Sequence, residues 1–310
     1  LQKQNAFDKK GWVLMKVAIV FAGQPRLFRK TFQSHLDFFN IEGYDFDYFI
    51  HAWSDQWYRT KTHSKHDYKN EIIEDPEELK NELKNIYKPK KIIVENQKKC
   101  EDLLGDINAL IPLQKKMINR GGTAIKWLDE FHMGQIYSWQ KATNLIWGYE
   151  EEFGFKYDLI IRFRLDNLLN NHSDGQKRFF MEQIKEEKDH RPAIRFQGIQ
   201  STEAGFFNVR DMIFGGPRDT FKVLMQDIYI FLLKEICKSI SNMNNEWIHP
   251  GSPETILGKK ISFNKIRSRS LTSVKHMPYR EYHLSSKEQD FISLNKVTHE
   301  ADEGRLKGKR

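Results

Sequence analysis

Residues 16–22, Lys-Val-Ala-Ile-Val-Phe-Ala, carry six apolar side chains in a row after the lysine and stop at Gly23. A strand with one wet face alternates polar and apolar residues. This run does not alternate, so both of its faces must be covered, which is the environment of a parallel sheet with helices on either side. Beyond Gly23, the residues Phe28, Phe32, His35, Leu36 and Phe39 recur at helical spacing. Phe46–Ala52 reads as a second strand and Lys91–Val94 as a third, with a helix over Pro76–Ile86 between them, its start marked by Asp75 and Pro76. Strand–helix–strand–helix–strand predicts a parallel α/β sheet with right-handed crossovers.

Residues 53–75 and 97–130 are polar and too long for simple connections, so they are expected to be irregular insertions. Ile136, Trp139, Ala142, Ile146, Tyr149 and Phe153 then predict a long helix closed by Gly154. Asp158–Phe163 is the next strand, and residues 170–192 read as a charged surface excursion. Ala193–Phe196 and Asp211–Phe214 are short strand candidates. Gly215-Gly216-Pro217 is expected to turn into a helix of about twenty residues from Asp219. A loop over 241–252 and a short helix over Pro253–Lys259 complete the pattern. The chain shows no internal repeat. It is expected to hold one catalytic domain over 14–285 and a charged, disordered tail over 286–310.

With 39% hydrophobic residues in 310, a sizeable core can be buried. No apolar run reaches the roughly 18 residues that span a bilayer; the longest candidate, Phe221–Ile240, is broken by Lys222, Gln226, Asp227, Lys234 and Glu235. Nothing near the start reads as a signal peptide. Cys100 and Cys237 are too few for a disulfide framework and read as small apolar residues in a reducing cytoplasm. The net charge of +8 favours anionic partners: a nucleotide diphosphate, an acidic membrane surface or nucleic acid.

Open α/β sheets bind ligands at the carboxyl ends of their strands, and three polar clusters fall there. Gly23-Gln24-Pro25-Arg26 follows the first strand. Glycine lets a ligand approach the backbone and Arg26 offers a planar fork suited to phosphate; an ordinary strand–helix turn with a solvated arginine reads equally well. The stretch is neither a Walker A loop nor a Rossmann fingerprint. His51 and Trp53 end the second strand, suited to a base or ribose or simply packed at the core's edge. Arg162, Arg164 and Asp166 alternate, which places them on one face of an extended chain. An arginine inside an apolar strand is costly unless paired. Two arginines and an aspartate suit a diphosphate with a divalent metal or a sugar hydroxyl, and they equally suit a structural ion pair.

In order, KVAIVFAGQPR, YDFDYFIHAW, GQIYSWQKATNL with YDLIIRFRLD, VRDMIFGGPRD and SPETIL resemble a group of bacterial and viral glycosyltransferases over residues 16–258. The resemblance implies a GT-A-like fold, a mostly parallel sheet flanked by helices, and a nucleotide-sugar donor used in surface-glycan synthesis. It sets Gly23, Gln24 and Arg26 against the nucleotide, and His51 and Trp53 beside the base or ribose. Arg164-Leu165-Asp166 stands where many such enzymes keep an Asp-x-Asp triplet for Mn²⁺ or Mg²⁺. Asp166 is then the metal ligand that remains. With arginine at the first position, Arg162 and Arg164 are alternatives for neutralising the leaving diphosphate. Asp211 is the first candidate for a base that deprotonates the acceptor, and Glu254 the second; capping of a turn or helix start explains either carboxylate as well.

His63–Asp67 has an H-x-x-H look without further ligands, and Lys84–Lys91 and Lys115–Arg120 are basic runs without an aromatic platform. A solvated face or an anionic membrane fits those runs better than nucleic acid. The expectation is thus a cytoplasmic hexosyl- or pentosyltransferase, in peripheral contact with a membrane or free of it, acting on a glycan or lipid-linked acceptor. A nucleotidyltransferase and a non-catalytic glycan- or nucleic-acid-binding protein are the alternatives.

Overall fold

The computed structural model describes residues 14–26, 28–59, 68–98, 102–103, 130–169, 172–185, 193–196, 199–201, 207–209, 213–241, 253–271 and 276–278. Along the chain these form β1 (Met15–Gly23), α1 (Phe28–Phe38), β2 (Tyr44–Trp53), β3 (Asp55–Arg59), β4 (Tyr68–Ile73), α2 (Pro76–Tyr87) and β5 (Lys91–Glu95). Then come α3 (Glu130–Phe153), β6 (Leu159–Phe163), β7 (Asn167–Leu169), α4 (Asp174–Lys185), β8 (Ala193–Phe196), β9 (Ile199–Ser201) and β10 (Phe207–Val209). The last elements are β11 (Ile213–Pro217), α5 (Arg218–Met225), α6 (Ile228–Ser241), α7 (Pro253–Phe263), β12 (Arg267–Ser270) and β13 (His276–Pro278). No helix of the described residues is long and apolar enough to cross a membrane.

Seven strands make the main sheet in the order β12-β8-β11-β6-β1-β2-β5. All of them run parallel except β11, which is antiparallel to both β6 and β8. The period-two rule explains how β1 is used. Ala18, Val20 and Ala22 face α3, where they meet a core that includes Ile136, Trp139, Ala142 and Ile146. Val17, Ile19 and Phe21 face the other way, into a core with Phe28 and Phe38 of α1 and Leu79 and Leu83 of α2. Val17 through Phe21 are wholly buried, as an unbroken apolar run requires. Asp75 caps α2, accepting from the backbone N–H groups of Glu77 and Glu78 at 2.9 Å each.

Four expectations are corrected. The insertion over 53–75 contains an antiparallel strand pair, β3 with β4. The charged stretch over 170–192 contains α4, an amphipathic helix that buries Phe180, Met181 and Ile184 beneath its charged face. The helix expected from Asp219 is two helices, parted at Gln226–Asp227, where Asp227 adopts a left-handed φ of 53°. Buried Lys260 of α7 donates its Nζ to the Gln226 carbonyl there. Gly215 and Gly216 are not a turn but the middle of β11. A Cβ on Gly215 would lie 2.8 Å from the Ile160 carbonyl oxygen, and one on Gly216 would lie 2.7 Å from that of Ala193. Glycine is needed there for close strand packing, a use that sequence cannot tell from a turn.

Candidate functional site

The chain builds outward from β1 through β2 to β5, then returns to the other side of β1 as β6. The strand order therefore reverses between β1 and β6, and the crevice beyond their carboxyl ends is where open α/β sheets take ligands. A cleft enclosing about 540 Å³, its open mouth included, lies there. Gly23, Gln24 and Arg26 line it from β1 and the following loop, Trp53 from the end of β2, and Arg162, Arg164 and Asp166 from β6 and the turn beyond it. Seven residues expected at the site thus share one cleft, though they come from three separate segments.

Local structure explains each placement. Gly23 has φ +115°, a backbone conformation that L side chains rarely adopt, so the chain can leave β1 sharply. Arg26 Nε donates to Gln24 Oε1 at 2.7 Å, and Gln24 Nε2 donates to Gln97 Oε1 at 2.9 Å. The guanidinium of Arg26 is therefore the end of a three-residue relay. Gln97, just past the carboxyl end of β5, and Gln135 of α3 also line the cleft. Gly134 makes room for Gln97, because a Cβ there would lie 2.7 Å from Gln97 Nε2.

Arg162 is 1% exposed, and its guanidinium lies 4.9 Å from the ring centroid of Trp139 and 5.7 Å from that of Phe214. Such a site lets a buried cation face aromatic π clouds. The alternation expected along one strand is not how the block is built. β6 ends at Phe163, and the Asn167 N–H closes a turn on the Arg164 carbonyl at 3.3 Å. Arg164 and Asp166 reach the cleft from that turn and pair with each other, Nε to Oδ1 at 2.7 Å and Nη2 to Oδ2 at 2.5 Å. The fork–fork geometry fixes the plane of the Arg164 guanidinium.

His51 does not line the cleft. It is wholly buried behind Trp53, with ring centroids 4.8 Å apart and nearly perpendicular. Its Nε2–H donates to Glu95 Oε1 at 3.0 Å and its Nδ1 accepts from Ser138 Oγ at 2.7 Å. Burial lowers its pKa below the ordinary value of 6.5 while Glu95 pulls the other way, and the hydrogen bond from His51 holds the Glu95 carboxyl below its usual range. His51 thus orients Glu95 and backs Trp53. Trp53 stacks on Tyr137 at 5.7 Å and 21°.

Glu254 lies in the first turn of α7, half-buried, and is not among the residues lining the cleft. Asp211, His63–Asp67, Lys115–Arg120 and Cys100 lie outside the described residues, as does the side chain of Cys237. In the basic run Lys84–Lys91, Lys90 pairs with Asp47 at 3.2 Å and Lys91 with Glu152 at 2.7 Å.

The donor set does not by itself fit a resident divalent cation. Asp166 is the one carboxylate among the described residues lining the cleft, and both of its oxygens accept from Arg164. Among the described residues no group of three or more His, Cys, Asp or Glu gathers anywhere. The cleft's own charge is cationic: Arg26, Arg162 and Arg164 against Asp166. Gln97 and Gln135 are not among the residues that the sequence singles out for the site. The available signal for Gln97 is its place just after a strand, the rule that points to the three clusters; for Gln135, inside a helix, it is only its place in the GQIYSWQKATNL block that carries the resemblance. No protein-family model matches this chain, and no curated protein matches it.

Proposed function

We propose that this chain is a GT-A-like glycosyltransferase whose cleft between β1 and β6 holds the diphosphate of a nucleotide sugar. The observation that carries the reading is the meeting of Arg26, Arg162 and Arg164 in that cleft. Displacement at an anomeric carbon leaves a nucleoside diphosphate, whose growing charge must be stabilised in the transition state. Three guanidinium groups supply that stabilisation from fixed positions, Arg162 against the neighbouring rings of Trp139 and Phe214 and Arg164 clamped by Asp166. Trp53, at the cleft wall, borders the ribose or base. With Asp166 engaged by Arg164, charge neutralisation rests on the arginines, and any Mn²⁺ or Mg²⁺ would take most of its ligands from the diphosphate itself. If the reaction inverts the anomeric carbon, Asp211 is the proposed base, since Glu254 stands off the cleft. A glycan or lipid-linked hydroxyl is the proposed acceptor, in surface-glycan synthesis.

A panel of nucleoside diphosphates and nucleotide sugars, each with and without Mn²⁺ and with EDTA, tests the reading by melting temperature and donor hydrolysis. Ligand at 100 times its Kd stabilises a fold by about 2.7 kcal/mol, a readable shift. The expected product is free nucleoside diphosphate; pyrophosphate would instead assign a nucleotidyltransferase. If no compound in the panel moves the melting temperature under either condition, the donor site is refuted.

A further inference from the structure

The cleft's two halves are built on one helix. Its first half, Gly23–Arg26, leads directly into α1, whose Phe28 N–H donates to the Pro25 carbonyl at 3.2 Å. Its second half, the turn carrying Arg164 and Asp166, lies against one face of the same helix. Thr31, Ser34 and His35 fall at i, i+3 and i+4, which on a helix are neighbours along one stripe. The segment that they meet offers the Leu165 carbonyl from the turn, and the Asn167 carbonyl and Leu169 N–H from β7.

Thr31 Oγ1 donates to the Leu165 carbonyl at 2.5 Å. His35 Nε2 donates to the Asn167 carbonyl at 2.5 Å, while its Nδ1 accepts from Tyr87 Oη at 2.9 Å. The Leu169 N–H donates to Ser34 Oγ at 3.1 Å, and Ser34 Oγ in turn donates to the Thr31 carbonyl at 2.7 Å. Thr31, His35 and Asn167 are each wholly buried, so no water competes for the bonds to the Leu165 and Asn167 carbonyls; Ser34 is half-buried. With the backbone of residues 165 and 167 held to α1, Arg164 and Asp166 line the cleft on the other side.

We infer that Thr31, Ser34 and His35 are positioning residues that set the spacing between Arg26 and the Arg164–Asp166 pair, and so tune the cleft to a P–O–P diphosphate group. The inference rests on the donor-site reading above. Helix α1 acts as a rigid spacer, and its polar stripe fixes the turn in the one register that keeps both arginine clusters facing a common ligand. A merely structural stripe would affect stability alone; a positioning stripe affects the affinity of a ligand that none of its residues touches.

The test uses inorganic pyrophosphate as probe, because every donor of the proposed class shares its P–O–P group. Thr31→Val keeps side-chain shape and removes the hydroxyl, and it is combined with Ser34→Ala in the full chain. Hydrogen exchange over residues 164–170 reads the turn, and calorimetric titration reads pyrophosphate. Exchange is expected to quicken in the double variant, and affinity to fall by about tenfold or more, equivalent to about 1.4 kcal/mol. Thr31→Ser, which keeps the hydroxyl, should stay within about twofold of the parent affinity, a difference of about 0.4 kcal/mol. If the double variant fails to fold, Ser34→Ala alone carries the same test at the half-buried member of the stripe. Parent protein that does not bind pyrophosphate overturns the diphosphate site and this role together. Parent protein that binds, with affinity unchanged in a variant whose turn exchanges faster, overturns the positioning role alone.

Discussion

Gly134→Ala separates affinity from stability more cleanly than any change to an arginine. Gly134 sits in α3 with no polar side chain of its own, yet a Cβ there would lie 2.7 Å from Gln97 Nε2 and 3.9 Å from Trp53. The near atom is the far end of a flexible side chain, so Gln97 can swing away without moving backbone. Alanine in a helix interior also gains roughly 0.5–1 kcal/mol over glycine. The melting temperature should therefore hold or rise. What Gln97 loses in swinging away is its bond from Gln24 Nε2, and with it the brace behind the Arg26 guanidinium. A single hydrogen bond is worth about 0.5–1.5 kcal/mol net, so diphosphate affinity should fall about two- to twelvefold. Gly148→Ala, on the same helix with nothing within 4 Å of its Cβ, is the control that should gain stability and leave affinity unchanged. Titration with pyrophosphate or the best nucleoside diphosphate, beside melting curves on all three proteins, reads both quantities. Equal affinities for Gly134→Ala and the parent would refute the relay from Gln97 to Arg26.

Arg164→Lys replaces a fork that grips both Asp166 oxygens with a point charge, so diphosphate affinity should drop by about tenfold or more and stability by roughly 1–3 kcal/mol; unchanged titration would remove Arg164 from the site. Gly216→Ala would set a Cβ 2.7 Å from the Ala193 carbonyl oxygen and 2.9 Å from Ile194 Cδ1, a clash that central strands cannot relieve, and urea unfolding should show a loss of roughly 1–3 kcal/mol. A loss near zero would mean that β11 is not packed as described. His35, facing Tyr87 of α2 and Asp166 of the turn, has its pKa lowered by burial from 6.5 to about 4. Above pH 6.5 it is neutral folded or unfolded and contributes nothing to pH dependence. As pH falls toward 4 the unfolded chain binds the proton first, so about 3 kcal/mol of stability should be lost across that window. In His35→Asn the slope of stability against pH between 6.5 and 4 should flatten, and an equal slope would show that the acid sensitivity lies elsewhere.

Local chemistry made part of this molecule legible. An unbroken apolar run can only be a strand covered on both faces, Asp75-Pro76 can open a helix wherever it stands, and apolar residues every three or four positions commit α3 to one face. Strand ends are also local, which is why Gly23, Gln24, Arg26, Trp53, Arg162, Arg164 and Asp166, all of them cleft-lining, are legible in the sequence. The same rules misled where one local signal serves two purposes. Gly-Gly marks a turn or a close strand contact, and only the neighbouring carbonyls of Ile160 and Ala193 choose the second. His51 and Trp53 are two residues apart in one strand and both pack under α3, yet His51 is held by Ser138 and Glu95 while Trp53, one step nearer the strand's carboxyl end, reaches the cleft. Sheet order was never in the local pattern. That β6 returns beside β1 instead of extending past β5 is decided by long-range packing, and it is this return that brings Arg162 and Arg164 to the loop of Arg26. Sequence set which side chains stand at the carboxyl ends of the strands; tertiary structure set which ends meet, since that depends on contacts between residues more than a hundred positions apart, such as Val20 with Arg162.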